Sequence, residues 1–226
     1  SCIAAAKGYR LRLCVPANIS PERKHMMAAL GAEVIYTSGQ EGSDGAIRAA
    51  EKIYAGSPGK YFYPNQYGND ENWRAHYVST GPEIWEDTNG RVTHFVATVG
   101  TGGTLMGTGR FLKEKNVAIR VIAVEPDSPF HGLEGMKHMD SSIVPKIYDR
   151  AFPDETIFVS TEAAHSAIRR TAAKEGLLIG LSSGAALAAA EMLAKKLGRA
   201  KKPGVIVTVF PDNADKYLTE RFWKEN

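Results

Sequence analysis

Short apolar runs alternate with helix-patterned segments from residue 11 to residue 210, and that alternation admits few architectures. Residues 11–15, 33–36 and 60–63 read as strands. Between them lie a helix that ends at Gly31 and a second helix over residues 43–54. Ser20 stands at the cap of the first helix and Pro21 at its first position. Strands separated by helices imply parallel βαβ units. Polar, turn-forming residues 68–72 mark a boundary, which predicts a smaller domain over 1–68 and a larger one over 69–226. In the larger part a helix over 72–86, interrupted at Gly81-Pro82, precedes strands at 92–99, 118–124, 157–159 and 205–210. Helices are expected to about residue 114, over 160–174 and, rich in alanine, to about residue 197. Residues 128–150 are irregular, and a stretch that long inside an α/β domain is usually functional or mobile. The pattern as a whole predicts a doubly wound α/β architecture with ligands at the carboxyl ends of its strands.

Composition removes several function classes. With 28 basic and 25 acidic residues the net charge is +3, and the basic residues are scattered, which argues against nucleic-acid binding. The densest basic cluster, Lys195, Lys196, Arg199, Lys201 and Lys202, reads as a solvated helix end. No apolar run reaches the ~18 residues of a membrane span, so no membrane partner is expected. Cys2 and Cys14 have no metal-ligand spacing, no metal site is expected, and a reduced cytoplasmic protein is the simplest reading. Ser1-Cys2-Ile3-Ala4-Ala5-Ala6 reads as the middle of an apolar helix. The chain is therefore expected to begin inside a longer protein.

Two loops carry the chemistry. Val99-Gly100-Thr101-Gly102-Gly103-Thr104 joins an apolar strand to a helix. Its glycines allow a tight turn and close approach to an anion. Inward-pointing amides, the helix N-terminus and two threonine hydroxyls then form a phosphate cradle. A P-loop would need a lysine before the final Ser/Thr, and a dinucleotide fingerprint would need glycine where Leu105 stands. The competing reading is a tight turn with close helix–strand packing. The second loop, Gly180-Leu181-Ser182-Ser183-Gly184-Ala185-Ala186, precedes the alanine-rich helix, and either serine would serve as its N-cap.

Taken in order, these loops and several shorter segments resemble the cysteine synthase (O-acetylserine sulfhydrylase) family of fold-type II pyridoxal 5′-phosphate (PLP) enzymes. The other segments are Ala5-Ala6-Lys7-Gly8-Tyr9, Leu30-Gly31-Ala32, Thr80-Gly81-Pro82-Glu83-Ile84-Trp85, Val124-Glu125-Pro126, Glu175-Gly176 and Lys216-Tyr217-Leu218. Thr104-Leu105-Met106-Gly107 and Val144-Pro145-Lys146-Ile147-Tyr148-Asp149 resemble its B-like branch. The resemblance implies a tryptophan synthase β-like fold with two three-layer, parallel-sheet domains, a homodimer, and PLP as cofactor. It implies that Gly100, Thr101, Gly102, Gly103 and Thr104 hold the PLP phosphate and Ser182 the ring nitrogen. It places Gln66 on the substrate side and Lys137 where O-phosphoserine-using relatives carry a basic residue. The implied reaction forms L-cysteine from O-acetylserine or O-phosphoserine and a sulfide donor. The family's cofactor lysine lies in an S-x-K segment followed by S-G-N-T-G, and this sequence contains neither. The catalytic lysine is therefore left unassigned. Two alternatives stand beside the main reading: a PLP-dependent serine/threonine dehydratase, and a non-catalytic fragment.

Overall fold

The computed structural model describes residues 1–224. The chain divides into two compact units, Ser1–Pro64 with Asp215–Glu220, and Asn65–Ala214 with Arg221–Asn226. The boundary falls a few residues before the expected position after residue 68. The segment 215–220, which the sequence places in the larger part, belongs to the first unit.

The first unit contains α1 (Cys2–Ala6), β1 (Arg12–Pro16), α2 (Pro21–Ala29), β2 (Glu33–Thr37) and α3 (Gly42–Ala55). β1 and β2 pair in parallel with Arg12 opposite Glu33, and these two side chains form an ion pair at 2.7 Å. Pro21 opens α2 as expected, where its missing N–H costs nothing. Ser20 precedes it but makes no side-chain cap bond, and its Oγ is buried without a partner. Residues 60–63 do not form the expected strand. Lys60 closes a turn onto Ser57 O, and the alternating tyrosines are used by side chains instead. Tyr61 Oη accepts from Arg12 Nη1 at 2.6 Å, and the Tyr63 ring lies 5.4 Å from that of Tyr54. The returning segment fixes itself by two polar contacts. Tyr217, 1% exposed, accepts from Arg23 Nη2 at 2.6 Å, and Thr219 N donates to Glu22 Oε1 at 3.1 Å.

The second unit contains α4 (Glu71–Val78), α5 (Thr80–Asp87), β3 (His94–Thr98), α6 (Gly103–Lys115), β4 (Arg120–Pro126), β5 (Glu155–Val159), α7 (Thr161–Glu175), α8 (Leu181–Arg199) and β6 (Ile206–Thr208). Its sheet runs β5-β4-β3-β6, all parallel. Side chains alternate across the pleat, so the two faces build two cores. Val96, Ile122, Val124, Ile157 and Val159 meet Ala164, Ala167, Ala185, Ala189 and Leu193 of α7 and α8. Phe95, Ala97, Val99, Val121 and Ala123 meet Leu105, Met106 and Leu112 of α6. The alanine-rich helix is thus close packing. A Cβ at Gly184 would stand 2.6 Å from Ala164 O of α7.

The expected helix over 72–86 is two helices, and the break is at Ser79 rather than at Pro82. Pro82 lies in the first turn of α5, where a missing N–H is tolerated. Residues 128–150 lack regular structure, as expected, but they are anchored. Lys137 N donates to Val99 O at 2.9 Å, Met139 N to Glu125 Oε2 at 3.0 Å and Ile147 N to Tyr67 O at 3.4 Å. Leu133, Met136, Met139, Ile147 and Tyr148 are buried. Among the described residues no helix is long and apolar enough to cross a membrane.

Candidate active site

The glycine loop leaves β3 at its carboxyl end and enters α6. Gly102 has φ +86°, the left-handed conformation that glycine adopts without strain, and a Cβ there would lie 2.8 Å from Tyr148 Cδ2. Gly103 N donates to Thr101 Oγ1 at 3.2 Å. The amides of Gly100, Thr101, Gly102 and Thr104 make no hydrogen bond among the described residues, which leaves them free for an external acceptor. Tyr148 lies under the loop. Burial, with Glu125 second, pushes its hydroxyl up to about 12, so it stays neutral.

α4 is held to this loop by two side chains one turn apart. Asn72 Nδ2 donates to Gln66 O at 2.7 Å and to Thr101 Oγ1 at 3.2 Å. His76 sits between Thr104 Oγ1, 3.1 Å from Nε2, and Thr80 Oγ1, 2.9 Å from Nδ1. Burial holds the His76 pKa below the usual histidine range. α6 has glycine opposite both. A Cβ at Gly103 would stand 1.9 Å from Asn72 Oδ1, and one at Gly107 would stand 2.8 Å from His76 Cβ. Neither Asn72 nor His76 was singled out by the sequence. Their spacing of four, the helical period, is visible in the sequence but names no partner.

The second loop reaches the same edge of the sheet. β3 and β6 are parallel neighbours, so the glycine loop and residues 209–213 both follow carboxyl ends. Gly180 N and Ser183 Oγ both donate to Asp212 O, at 2.9 and 3.0 Å. α8 begins at Leu181 with Gly180 at the cap, so neither serine is the N-cap that the sequence allowed. Ser183 is fully buried and committed to Asp212. Ser182 is half-buried, and its hydroxyl makes no hydrogen bond among the described residues.

Lys137 lies at this edge too, through its backbone bond to Val99 O. It is not a solvent-exposed lysine. Lys137 is 3% exposed, donates to Ile143 O at 3.2 Å and has its ammonium 5.4 Å from the Tyr67 ring centroid. Gln66 is exposed and lies in a turn, with no strand before it at residues 60–63. Its backbone carbonyl is the atom that Asn72 ties down.

A family model described as pyridoxal-phosphate dependent enzyme matches residues 1–212. The chain belongs to that family. Within this pyridoxal-phosphate dependent family it is 51% identical over 223 residues to a cysteine synthase of Aquifex aeolicus, covering 99% of this chain and 68% of the relative. It is 40% identical over 216 residues to cysteine synthase B of Pseudomonas aeruginosa, covering 96% and 70%. The crystal structure of an Entamoeba histolytica cysteine synthase superposes with a TM-score of 0.86 at 38% identity, covering 99% of this chain and 67% of that one. The fold is therefore that of the fold-type II PLP enzymes. The residues present fit the cofactor. Four loop amides without a partner among the described residues suit a phosphate, and a Ser182 hydroxyl without one among them suits a polar ring atom.

Proposed function

We propose that this chain is the major part of a PLP-dependent enzyme that forms L-cysteine from an activated serine and a sulfide donor. Overall, the bond from the serine Cβ to its acetyl or phosphate oxygen breaks and a Cβ–S bond forms. Hydrosulfide enters, and acetate or phosphate leaves.

One observation supports this reading most strongly. The glycine loop, whose Gly100, Thr101, Gly102 and Thr104 amides make no hydrogen bond among the described residues, follows the carboxyl end of β3, and the Ser182 hydroxyl, in the loop tied to Asp212 beyond the neighbouring β6, also makes none among them. Gly100, Thr101, Gly102, Gly103 and Thr104 would hold the phosphate, with the α6 N-terminus adding partial positive charge. Ser182 would meet the ring nitrogen. When bound, PLP supplies an electron sink for the substrate's α-carbon. A serine hydroxyl does not hold the ring nitrogen protonated as a carboxylate would. The milder sink favours β-elimination and replacement over transamination.

Gln66 and Lys137 are assigned to the substrate side, Lys137 as the reader of an O-phosphoserine phosphate. The unit of residues 1–64 with 215–220, close to the expected 1–68, corresponds within this proposal to the smaller domain, and the unit that begins at residue 65, close to the expected 69–226, to the larger PLP-phosphate-binding domain. A cytoplasmic homodimer belongs to the same reading, and sedimentation equilibrium of the full gene product tests the dimer.

The assay of that product with O-acetylserine and sulfide tests the reaction. Sulfide-dependent cysteine formation is expected. Pyruvate release unaffected by sulfide would instead assign a serine/threonine dehydratase, and absence of both reactions a non-catalytic role.

A further inference from the structure

A second polar group stands behind the glycine loop. His76 touches a loop hydroxyl and also reaches α5, through Thr104 Oγ1 at 3.1 Å and Thr80 Oγ1 at 2.9 Å. Gly107, one turn into α6, leaves the space that His76 Cβ occupies. The imidazole is thus fixed from both sides.

A neutral imidazole has one N–H and one lone pair, so the two threonines cannot play the same role. In one tautomer Nδ1–H donates to Thr80, and the Thr104 hydroxyl must give its hydrogen to Nε2. Thr104 then offers only lone pairs to the loop and would repel an anion. In the other, Thr80 donates to Nδ1 and Nε2–H donates to Thr104 Oγ1. The Thr104 hydrogen is then free to point at an acceptor. A phosphate dianion has only acceptor oxygens, so it is compatible with the second arrangement alone. Burial disfavours the charged ring, and in the neutral ring the tautomer is the variable.

We propose that His76 is a positioning residue for the bound phosphate: as the Nε2–H tautomer it turns the Thr104 hydroxyl hydrogen toward the anion and couples the start of α5 to the loop. The proposal rests on the phosphate reading of the loop. Its own content is the direction of two hydrogen bonds.

The probe is pyridoxine 5′-phosphate, which lacks the aldehyde and so forms no bond to any lysine, with unphosphorylated pyridoxine as the control. In the full chain labelled with ¹⁵N-histidine, long-range ¹H–¹⁵N spectra report the His76 tautomer, assigned by its loss in His76→Gln. The bound state is expected to carry the proton on Nε2. His76→Ala should weaken pyridoxine 5′-phosphate about tenfold, the scale of one charge-assisted hydrogen bond. His76→Gln, whose amide can donate in place of Nε2–H, should restore affinity to within a few-fold. A proton on Nδ1 in the bound state would overturn the proposal even if His76→Ala does not fold. So would folded His76→Ala and His76→Gln proteins that bind alike. If the wild-type chain binds pyridoxine 5′-phosphate no better than pyridoxine, the phosphate reading itself fails and the His76 proposal with it.

Discussion

Asn72 donates to Thr101 Oγ1 at 3.2 Å, and by doing so it joins the first turn of α4 to the loop that opens α6. The same amide holds Gln66 O at 2.7 Å, so one side chain sets both the glycine loop and the turn before it. Asn72→Ala removes both bonds. The expected loss is about 1–3 kcal/mol of stability, measured by urea denaturation, together with weaker binding of pyridoxine 5′-phosphate. Unchanged stability and affinity would mean that the loop is held by its own backbone.

Ser182 and Ser183 are adjacent and are expected to behave differently. Ser183 is buried and donates to Asp212 O, so Ser183→Ala should cost about 1–2 kcal/mol in stability. The Ser182 hydroxyl has no hydrogen-bond partner among the described residues, so Ser182→Ala should leave the melting temperature unchanged and lower turnover of the full gene product with O-acetylserine and sulfide. The reverse pattern would assign the cofactor contact to Ser183.

Most of the fold was legible because its signals are local. Phe95, Ala97 and Val99 alternate with Val96 along one strand, and Gly176 ends α7 in the left-handed conformation. The glycine loop was legible for the same reason. What the sequence hid depends on partners far along the chain. Tyr61 and Tyr63 look like a strand, yet Arg12 and Tyr54 engage them as side chains. Ser20 does stand at the N-cap of α2, but its hydroxyl makes no cap bond, and Gly180 rather than Ser182 or Ser183 is the N-cap of α8. Lys137 looks like a solvated lysine, and its burial depends on Ile143 and Tyr67. No local pattern announces Asn72 or His76 as neighbours of a loop about thirty residues away, because only the glycines at 103 and 107 admit them.

Acid should weaken the fold through its histidines. Burial lowers the pKa of His76, His94 and His131. Each therefore takes up a proton at higher pH in the unfolded chain than in the folded one. Stability is flat above the unfolded value of about 6.5 and falls as pH drops from there through the folded value. The melting temperature is expected to fall between about pH 7 and about pH 5, and less steeply in His131→Asn, whose Oδ1 can still accept from Leu133 N. A slope unchanged in that variant would place the acid sensitivity elsewhere.

Lys137 connects structure to substrate choice. Its ammonium is buried beside Tyr67, at the edge of the sheet where the glycine loop begins. Lys137→Ala should reduce kcat/KM about ten- to a hundredfold more for O-phosphoserine than for O-acetylserine, the scale of one charged hydrogen bond. Equal losses for the two substrates would make Lys137 a support for residues 133–143 only.

The phosphate site at residues 100–104 is tested most directly by backbone amide resonances. On titration with pyridoxine 5′-phosphate the amides of Thr101, Gly102 and Thr104 are expected to shift together and to saturate with one Kd, while pyridoxine leaves them in place. Saturable shifts confined to other parts of the chain, with these three amides unmoved, would contradict the assignment of the phosphate to the glycine loop.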